Sequence, residues 1–136
     1  MNNSKGLDKW LQRDVLKKGE LELKDAGITL GLQAIDYKTM QNLRKKNVIV
    51  TKEGKEIRNE GGFPMDLIAT GVKSINGEPF NFYSKEALEL LGEKTHEDAI
   101  NNRFTYLEIL ELVKAINELS DTSAEAEKDE VDELKN

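Results

Sequence analysis

The sequence of 136 residues contains no cysteine, one histidine and two prolines. The absence of cysteine excludes a disulfide framework, a thiol nucleophile and a thiolate metal site. A single histidine excludes a site built from two imidazoles. No apolar run exceeds three residues, so we expect no membrane-spanning segment. The first ten residues lack the apolar centre of a signal peptide, which favours a cytosolic protein.

The charge of the chain is unevenly distributed. The net charge is −6, but residues 120–136 alone carry seven acids and two bases, a net charge of −5. The rest of the chain is therefore nearly neutral, which argues against general binding of nucleic acid. The acidic segment has few apolar residues, so the composition predicts a disordered tail.

Hydrophobic patterns divide the chain into three parts. We predict an N-terminal amphipathic arm at residues 1–19, an α+β domain at 20–119 and the acidic tail at 120–136. The arm has a stripe with helical spacing, which consists of Leu7, Trp10, Leu11 and Val15. It either docks on a partner or folds onto the domain, so Trp10 has an interface role or a core role.

The predicted fold class is α+β, with early antiparallel β-hairpins followed by a cluster of about four to five short helices. Alternation with a period of two predicts a hairpin at residues 20–24 and 28–35, and a second short hairpin follows at 48–58. Asp36, Ser84, Thr95 and Thr105 as N-cap residues, and Pro64 at a first helical position, predict the helix starts. The predicted helices are 37–46, 65–74, 85–91, a short one after Thr95, and 106–119.

No catalytic, cofactor-binding or metal-binding residue stands out. His96 is interpreted as an exposed residue at a helix start, because no Ser or Asp motif frames it. The carboxylates lie on predicted exposed faces, and the glycines form no phosphate-binding motif. This profile is typical of a binding or assembly protein rather than an enzyme.

Two clusters have alternative interpretations. Residues 44–46 together with Lys52, Lys55 and Arg58 are basic. They either contact phosphate or form a solvated helix end and hairpin. The lack of neighbouring aromatic residues favours the second interpretation. The aromatic residues at 80, 82 and 83 either form a recognition patch or, as we favour, fill the gap between helices.

The order of these elements resembles that of the XkdN-like tail assembly chaperones, from long-tailed phages and phage-like elements of Gram-positive bacteria. The resemblance spans about residues 20–120 and rests on the order of the elements and on short sequence stretches that contain apolar residues. These stretches lie at residues 20–23, 28–30, 34–37, 40–44, 66–72, 79–80, 89–92, 95–100, 106–110, 112 and 116–120.

The resemblance implies a non-enzymatic chaperone without a cofactor. Such proteins coat the aggregation-prone tape measure protein in the host cytoplasm, help to recruit tail tube subunits, and leave before the virion is complete. Self-association is expected, and binding to nucleic acid or membranes is not. A ribosomal frameshift adds a second domain to part of the product in many of these phages, and an acidic linker would suit that position.

A chaperone of this kind could meet a helical partner through apolar helix faces. The candidate partner-binding residues are Trp10, Leu11, Ile109, Leu112 and Ile116. The edge of the first hairpin could instead pair between copies. Two other functions stay open, namely a tail-completion or other structural protein, and a small regulator that binds nucleic acid through the basic cluster.

Overall fold

The computed structural model describes residues 3–12, 16–59 and 61–120. Within these ranges the chain forms six helices and six strands. The helices are α1 (Asn3–Leu11), α2 (Tyr37–Lys46), α3 (Gly62–Gly71), α4 (Lys85–Leu91), α5 (His96–Arg103) and α6 (Tyr106–Leu119). The strands are β1 (Lys18–Leu23), β2 (Ile28–Gln33), β3 (Val48–Val50), β4 (Glu56–Arg58), β5 (Val72–Ile75) and β6 (Glu78–Pro79).

The larger sheet is antiparallel and has the strand order β1-β2-β5-β6. Its first hairpin confirms the predicted one, although β1 begins earlier and β2 ends earlier than predicted. The pairing of Lys18 with Gln33 sets these limits. Gly27 closes the turn at a φ of 69°, a conformation that glycine adopts without a steric penalty. Five helices follow this hairpin in the described part of the chain, so the α+β fold class is confirmed.

One predicted helix is displaced by three residues toward the C-terminus. We predicted a helix at residues 65–74 that opens after Pro64, but α3 begins at Gly62 and ends at Gly71, and the next residues form β5. The reason is pairing with β2, which places Val72 opposite Leu32 and Ile75 opposite Leu30. Cross-strand pairs of apolar and β-branched residues stabilise a sheet. The free energy gained by pairing with a strand distant in sequence outweighs the tendency of residues 72–74 to continue the helix.

The core lies between one face of the larger sheet and helices α3 and α6. Helix α3 is buried on almost all sides, and its Leu67 and Ile68 have no exposed surface. A helix that is apolar all round belongs in a core. Full burial of one such side chain contributes roughly 1.5–3 kcal/mol to folding, so α3 is the central packing element.

Local capping fixes several helix starts as predicted. The carboxylate of Asp36 accepts a hydrogen bond from the Thr39 N–H at 2.7 Å, at the start of α2. Thr105 and Glu108 form a reciprocal capping box at the start of α6, which satisfies two otherwise unpaired backbone N–H groups. These interactions involve neighbours in sequence, so their positions could be predicted without knowledge of the fold.

Strands β3 and β4 form a separate two-stranded sheet, which confirms the second predicted hairpin. All of their residues are exposed. Among the residues described, no helix has the length and apolar character needed to cross a bilayer.

Candidate functional site

The predicted N-terminal stripe lies on the surface. Helix α1 presents Leu7, Trp10 and Leu11, and the last two are each 64% exposed. Their positions i, i+3 and i+4 place them on one helical face. Val15, the fourth member of the predicted stripe, lies outside the described residues. The exposed stripe therefore has the form of a helix face that another element can cover.

The other three predicted partner-binding residues have a different environment. Ile109, Leu112 and Ile116 are buried, and the last two have no exposed surface. Ile116 packs so closely on Gly71 that a Cβ placed on this glycine would lie 2.6 Å from Cδ1 of Ile116. These side chains form the contact of α6 with the domain core, so a partner cannot reach them in this conformation.

The exposed apolar part of α6 lies at its first turn. Tyr106 and Leu107 are exposed there, and Leu90 near the end of α4 is 80% exposed. Single exposed apolar residues are common on protein surfaces. We therefore assign no function to these three residues.

The β3–β4 hairpin is a further exposed apolar surface, and none of its residues is among the predicted partner-binding residues. Val48, Ile49, Val50 and Ile57 are between 37% and 64% exposed. The run of β-branched residues predicted the strands, but the same run would also suit a buried strand. Of the basic residues around it, Lys45, Lys52 and Lys55 are exposed, as the favoured interpretation predicts. Arg44 and Lys46 differ, because Arg44 lies over the ring of Phe63 at 4.8 Å and Lys46 contacts Asp66.

A polar cluster centred on Asp66 joins four segments of the helical half. Asp66 lies in α3 with a relative exposure of only 2%. Asn47 donates to its Oδ2 at 2.9 Å, and Tyr83 and His96 donate to its Oδ1 at 3.2 and 2.7 Å. The ammonium of Lys46 lies 3.4 Å from Oδ1. The cluster thus connects the end of α2, the segment before α4 and the start of α5 to the buried helix.

Two predictions are wrong at this cluster. His96 is not an exposed helix-start residue, because its side chain has a relative exposure of only 15% and stacks at a tilt on Tyr83 with ring centroids 4.6 Å apart. Asp66 is a carboxylate that does not lie on an exposed face. The two residues are thirty positions apart, and neither is part of a local motif, so their contact could not be predicted from the sequence.

The cluster changes the ionisation of two of its members. Burial opposes ionisation of Asp66, but hydrogen bonds from Asn47 and His96 and the charge of Lys46 together hold its pKa below the usual value. Burial raises the pKa of Tyr83 to about 12, and the negative charge of Asp66 adds to this effect. Tyr83 therefore stays a neutral hydrogen-bond donor, and Asp66 stays an ionised acceptor at neutral pH.

The chemistry of this cluster is that of a structural anchor. Its carboxylate is almost fully buried and is satisfied by protein donors. Among the residues that the structure describes, no three His, Cys, Asp or Glu side chains are grouped so as to hold a metal ion. We therefore assign the cluster a role in positioning helices.

The aromatic cluster fills the helical half, as we favoured. Phe82 is 1% exposed and contacts Phe80 and Phe104 edge-on, at centroid distances of 4.9 and 6.2 Å. Tyr83 is the most exposed of the three, at 40%, and its hydroxyl donates to Asp66. The aromatics thus contribute mainly to packing.

The outer face of the larger sheet has an open depression of about 470 Å³. The residues that line it include Gly31, Lys18, Glu20 and Lys73. The bases and the acid lie side by side, so the depression has no strong charge preference. It has neither the enclosure nor the converging polar groups of a small-molecule site.

Comparison with known proteins adds one finding. The family model described as phage XkdN-like tail assembly chaperone protein matches residues 7–135. No curated protein and no solved structure matches the chain.

Proposed function

The chain belongs to the family of XkdN-like phage tail assembly chaperones, and from this premise we propose that it binds the tape measure protein and keeps it soluble while the tail assembles. Membership confirms the resemblance that the sequence indicated. The observation that carries the proposal is the family match over nearly the whole chain. A phage tail assembly chaperone has other tail proteins as its partners.

We assign the main contact to the exposed stripe of α1. A tape measure protein is expected to be long and helical and to expose apolar stripes before assembly. Leu7, Trp10 and Leu11 offer a matching stripe that the domain core does not use. Packing of one amphipathic helix on another is a common mode of recognition, and exposed tryptophan is a frequent anchor at interfaces. Trp10 is therefore the central contact residue of this proposal.

The proposal includes no catalytic step. The carboxylate of the polar cluster around Asp66 is engaged in hydrogen bonds within the protein. We further propose recruitment of tail tube subunits, self-association along the tape measure protein, action in the host cytoplasm and absence from the finished virion. These follow from the way in which a chaperone of this class works.

The test is co-expression with the tape measure protein of the same phage. We expect soluble tape measure protein that co-purifies with the chain, and little soluble protein without it. Trp10→Ala and Leu11→Ser should each lower this yield severalfold. Leu90→Ser is the matched control, because Leu90 is even more exposed but lies outside α1.

Several outcomes would contradict the proposal. If the yield falls equally with Leu90→Ser, the α1 stripe is not the contact. If the tape measure protein stays insoluble and nothing co-purifies, the partner assignment is wrong. Presence of the chain in purified virions would favour a tail-completion or other structural protein. Salt-sensitive binding of DNA or RNA would favour a regulator.

A further inference from the structure

The β3–β4 hairpin exposes apolar side chains on both of its faces. Ile49 is paired with Ile57 on one face, and Val48 and Val50 point to the opposite face because side chains alternate along a strand. Val50 is 64% exposed and Ile49 is 53% exposed. No hairpin side chain is part of the core that the described residues form. A contiguous exposed apolar surface marks an interaction site, so the hairpin is a candidate docking surface.

The backbone of β3 offers hydrogen-bonding groups to a further strand. The N–H of Thr51 donates to the carbonyl oxygen of Lys55 at 2.8 Å. Hydrogen-bonded and non-bonded pairs alternate along an antiparallel ladder, so Ile49 and Ile57 form the next bonded pair and the N–H and C=O of Val50 point away from β4. In the part of the chain that the structure describes, no third strand pairs with this sheet. The outer edge of β3 can therefore accept an added strand.

The charge around the hairpin selects the kind of strand that can bind there. Residues 44–58 contain six bases and two acids, a net charge of +4, in a chain whose net charge is −6. Lys45 is exposed before the hairpin begins, and Lys52 and Lys55 are exposed at its turn. Opposite charges favour association and like charges oppose it. The complementary occupant is a short apolar strand with acidic residues at both ends.

Two other occupants fit this surface less well. A second copy would bring together two regions that each carry a net charge of +4, and lysines beside a strand edge oppose such pairing. A nucleic acid would contact the bases but would leave the exposed valines and isoleucines in water. Residues 44–58 also contain no aromatic side chain on which a nucleobase could stack. The observations therefore favour a protein segment.

We propose that the outer edge of β3 binds an extended acidic segment of a partner protein by β-strand addition. The backbone of this segment pairs with that of Val50, and its apolar side chains cover Ile49 and Val50. Its terminal carboxylates lie near the lysines at the two ends of the hairpin. The surface shares no residue with the α1 stripe, and the inference does not rest on the proposed binding of the tape measure protein.

The probe for this site is a synthetic peptide of alternating valine and threonine with two glutamates at each end. It is titrated into the isotope-labelled full chain, and the backbone amide signals are followed by NMR. We expect saturable shifts at residues 48–58 with a Kd below about 1 mM. The Val50 amide should become protected from hydrogen exchange, whereas the Ile49 amide is bonded to β4 in both states and should change little.

Charge reversal tests the electrostatic part of the contact. Lys52→Glu combined with Lys55→Glu should weaken binding of the peptide about tenfold. Lys24→Glu combined with Lys94→Glu is the matched control, because both lysines are exposed outside the hairpin and the net charge changes equally. A peptide with lysines in place of its glutamates should not bind measurably.

Threonine substitution tests the apolar part. Ile49→Thr combined with Ile57→Thr keeps both positions β-branched, so the hairpin should still form, and the amide signals of the free variant check this. Binding should weaken about tenfold. Leu90→Ser is the control, because Leu90 is an exposed apolar residue of α4. A peptide with serines in place of its valines gives the same test without any change to the protein.

Several results would overturn the inference. These are the absence of saturable shifts at residues 48–58, equal binding of the lysine peptide, and loss of binding with Trp10→Ala, which would place the peptide on the α1 stripe. Shifts at the hairpin on dilution of the protein alone would make the occupant a second copy. Tighter binding of an oligothymidine than of the peptide would make the site one for nucleic acid. Retained peptide binding without solubilisation of the tape measure protein would contradict the proposed function alone.

Discussion

The Nε2 atom of His96, in the first turn of α5, lies 2.7 Å from Oδ1 of Asp66 in the buried helix α3. The same carboxylate accepts hydrogen bonds from Asn47 and Tyr83. A buried carboxylate is stable only when its lone pairs are satisfied, so these donors and Asp66 depend on one another. One side chain thereby holds the helices of this half in a fixed arrangement around α3.

Asp66→Ala should lower the free energy of unfolding by about 2–4 kcal/mol. The substitution removes the carboxylate that accepts the hydrogen bonds of Asn47 and His96, so these two donors lose their partner. Loss of one member of a buried polar pair is costly. Urea denaturation followed by circular dichroism measures the change. Asp98→Ala on α5 is the control, because Asp98 is exposed. Equal losses in both variants would contradict the anchoring role.

The same residue should make stability sensitive to acid. The pKa of Asp66 in the folded protein lies below its usual value of 3.8, so the unfolded chain binds more protons than the folded chain between these two values. The stabilisation by Asp66 is complete above pH 3.8 and is lost as the pH falls through the folded pKa.

Denaturation of the wild type and of Asp66→Asn at a series of pH values tests this dependence. We expect the difference in unfolding free energy between them to shrink as the pH falls below about 4. Asp36, whose pKa is lowered by its hydrogen bonds to Thr39, titrates in both proteins and cancels in the comparison. A difference that stays constant down to pH 2 would show that the charge of Asp66 is not what the cluster stabilises.

Thr105→Ala should destabilise the domain by about 1 kcal/mol, the usual cost of losing an N-cap side chain. Thr105 accepts a hydrogen bond from the Glu108 N–H, and Glu108 accepts one from the Thr105 N–H. Thr105→Ser retains the hydroxyl and should restore most of the loss. Chemical denaturation of the three proteins gives the comparison. A loss of equal size in the serine variant would assign the effect to the threonine methyl group rather than to the cap.

The elements that could be predicted are those whose determinants are local. The caps at Asp36, Ser84, Thr95 and Thr105 all accept the hydrogen bonds that their sequence positions predict. Strand β5 could not be predicted in this way, because its pairing partner β2 lies some forty residues earlier. The contact between Asp66 and His96 is non-local for the same reason.

Helical periodicity identifies an apolar face but not what covers it. Trp10 and Ile116 both lie on predicted apolar stripes, yet the first is 64% exposed and the second has no exposed surface. The difference comes from the sheet and from α3, which pack against α6. Only the assembled fold therefore distinguishes a stripe that forms the core from one that remains available for a partner.

The packing of α3 on α6 leads to the last prediction, that Gly71→Ala lowers the free energy of unfolding by about 1–3 kcal/mol, the usual cost of overpacking a core. A Cβ at Gly71 would lie 2.6 Å from Cδ1 and 2.9 Å from Cγ1 of Ile116. Both residues are buried, so neither side can move away easily. Gly6→Ala in α1 is the control, because nothing lies within 4 Å of the added carbon there.

A double-mutant cycle determines whether the contact with Ile116 causes this loss. Ile116→Val removes Cδ1 and should by itself cost about 0.5–1.5 kcal/mol. In combination with Gly71→Ala it also removes the closest clash, so the double variant should lose less stability than the sum of the single variants. Additive losses would mean that the alanine is accommodated by a shift of α3, and that glycine at this position is not required for the close approach of the two helices.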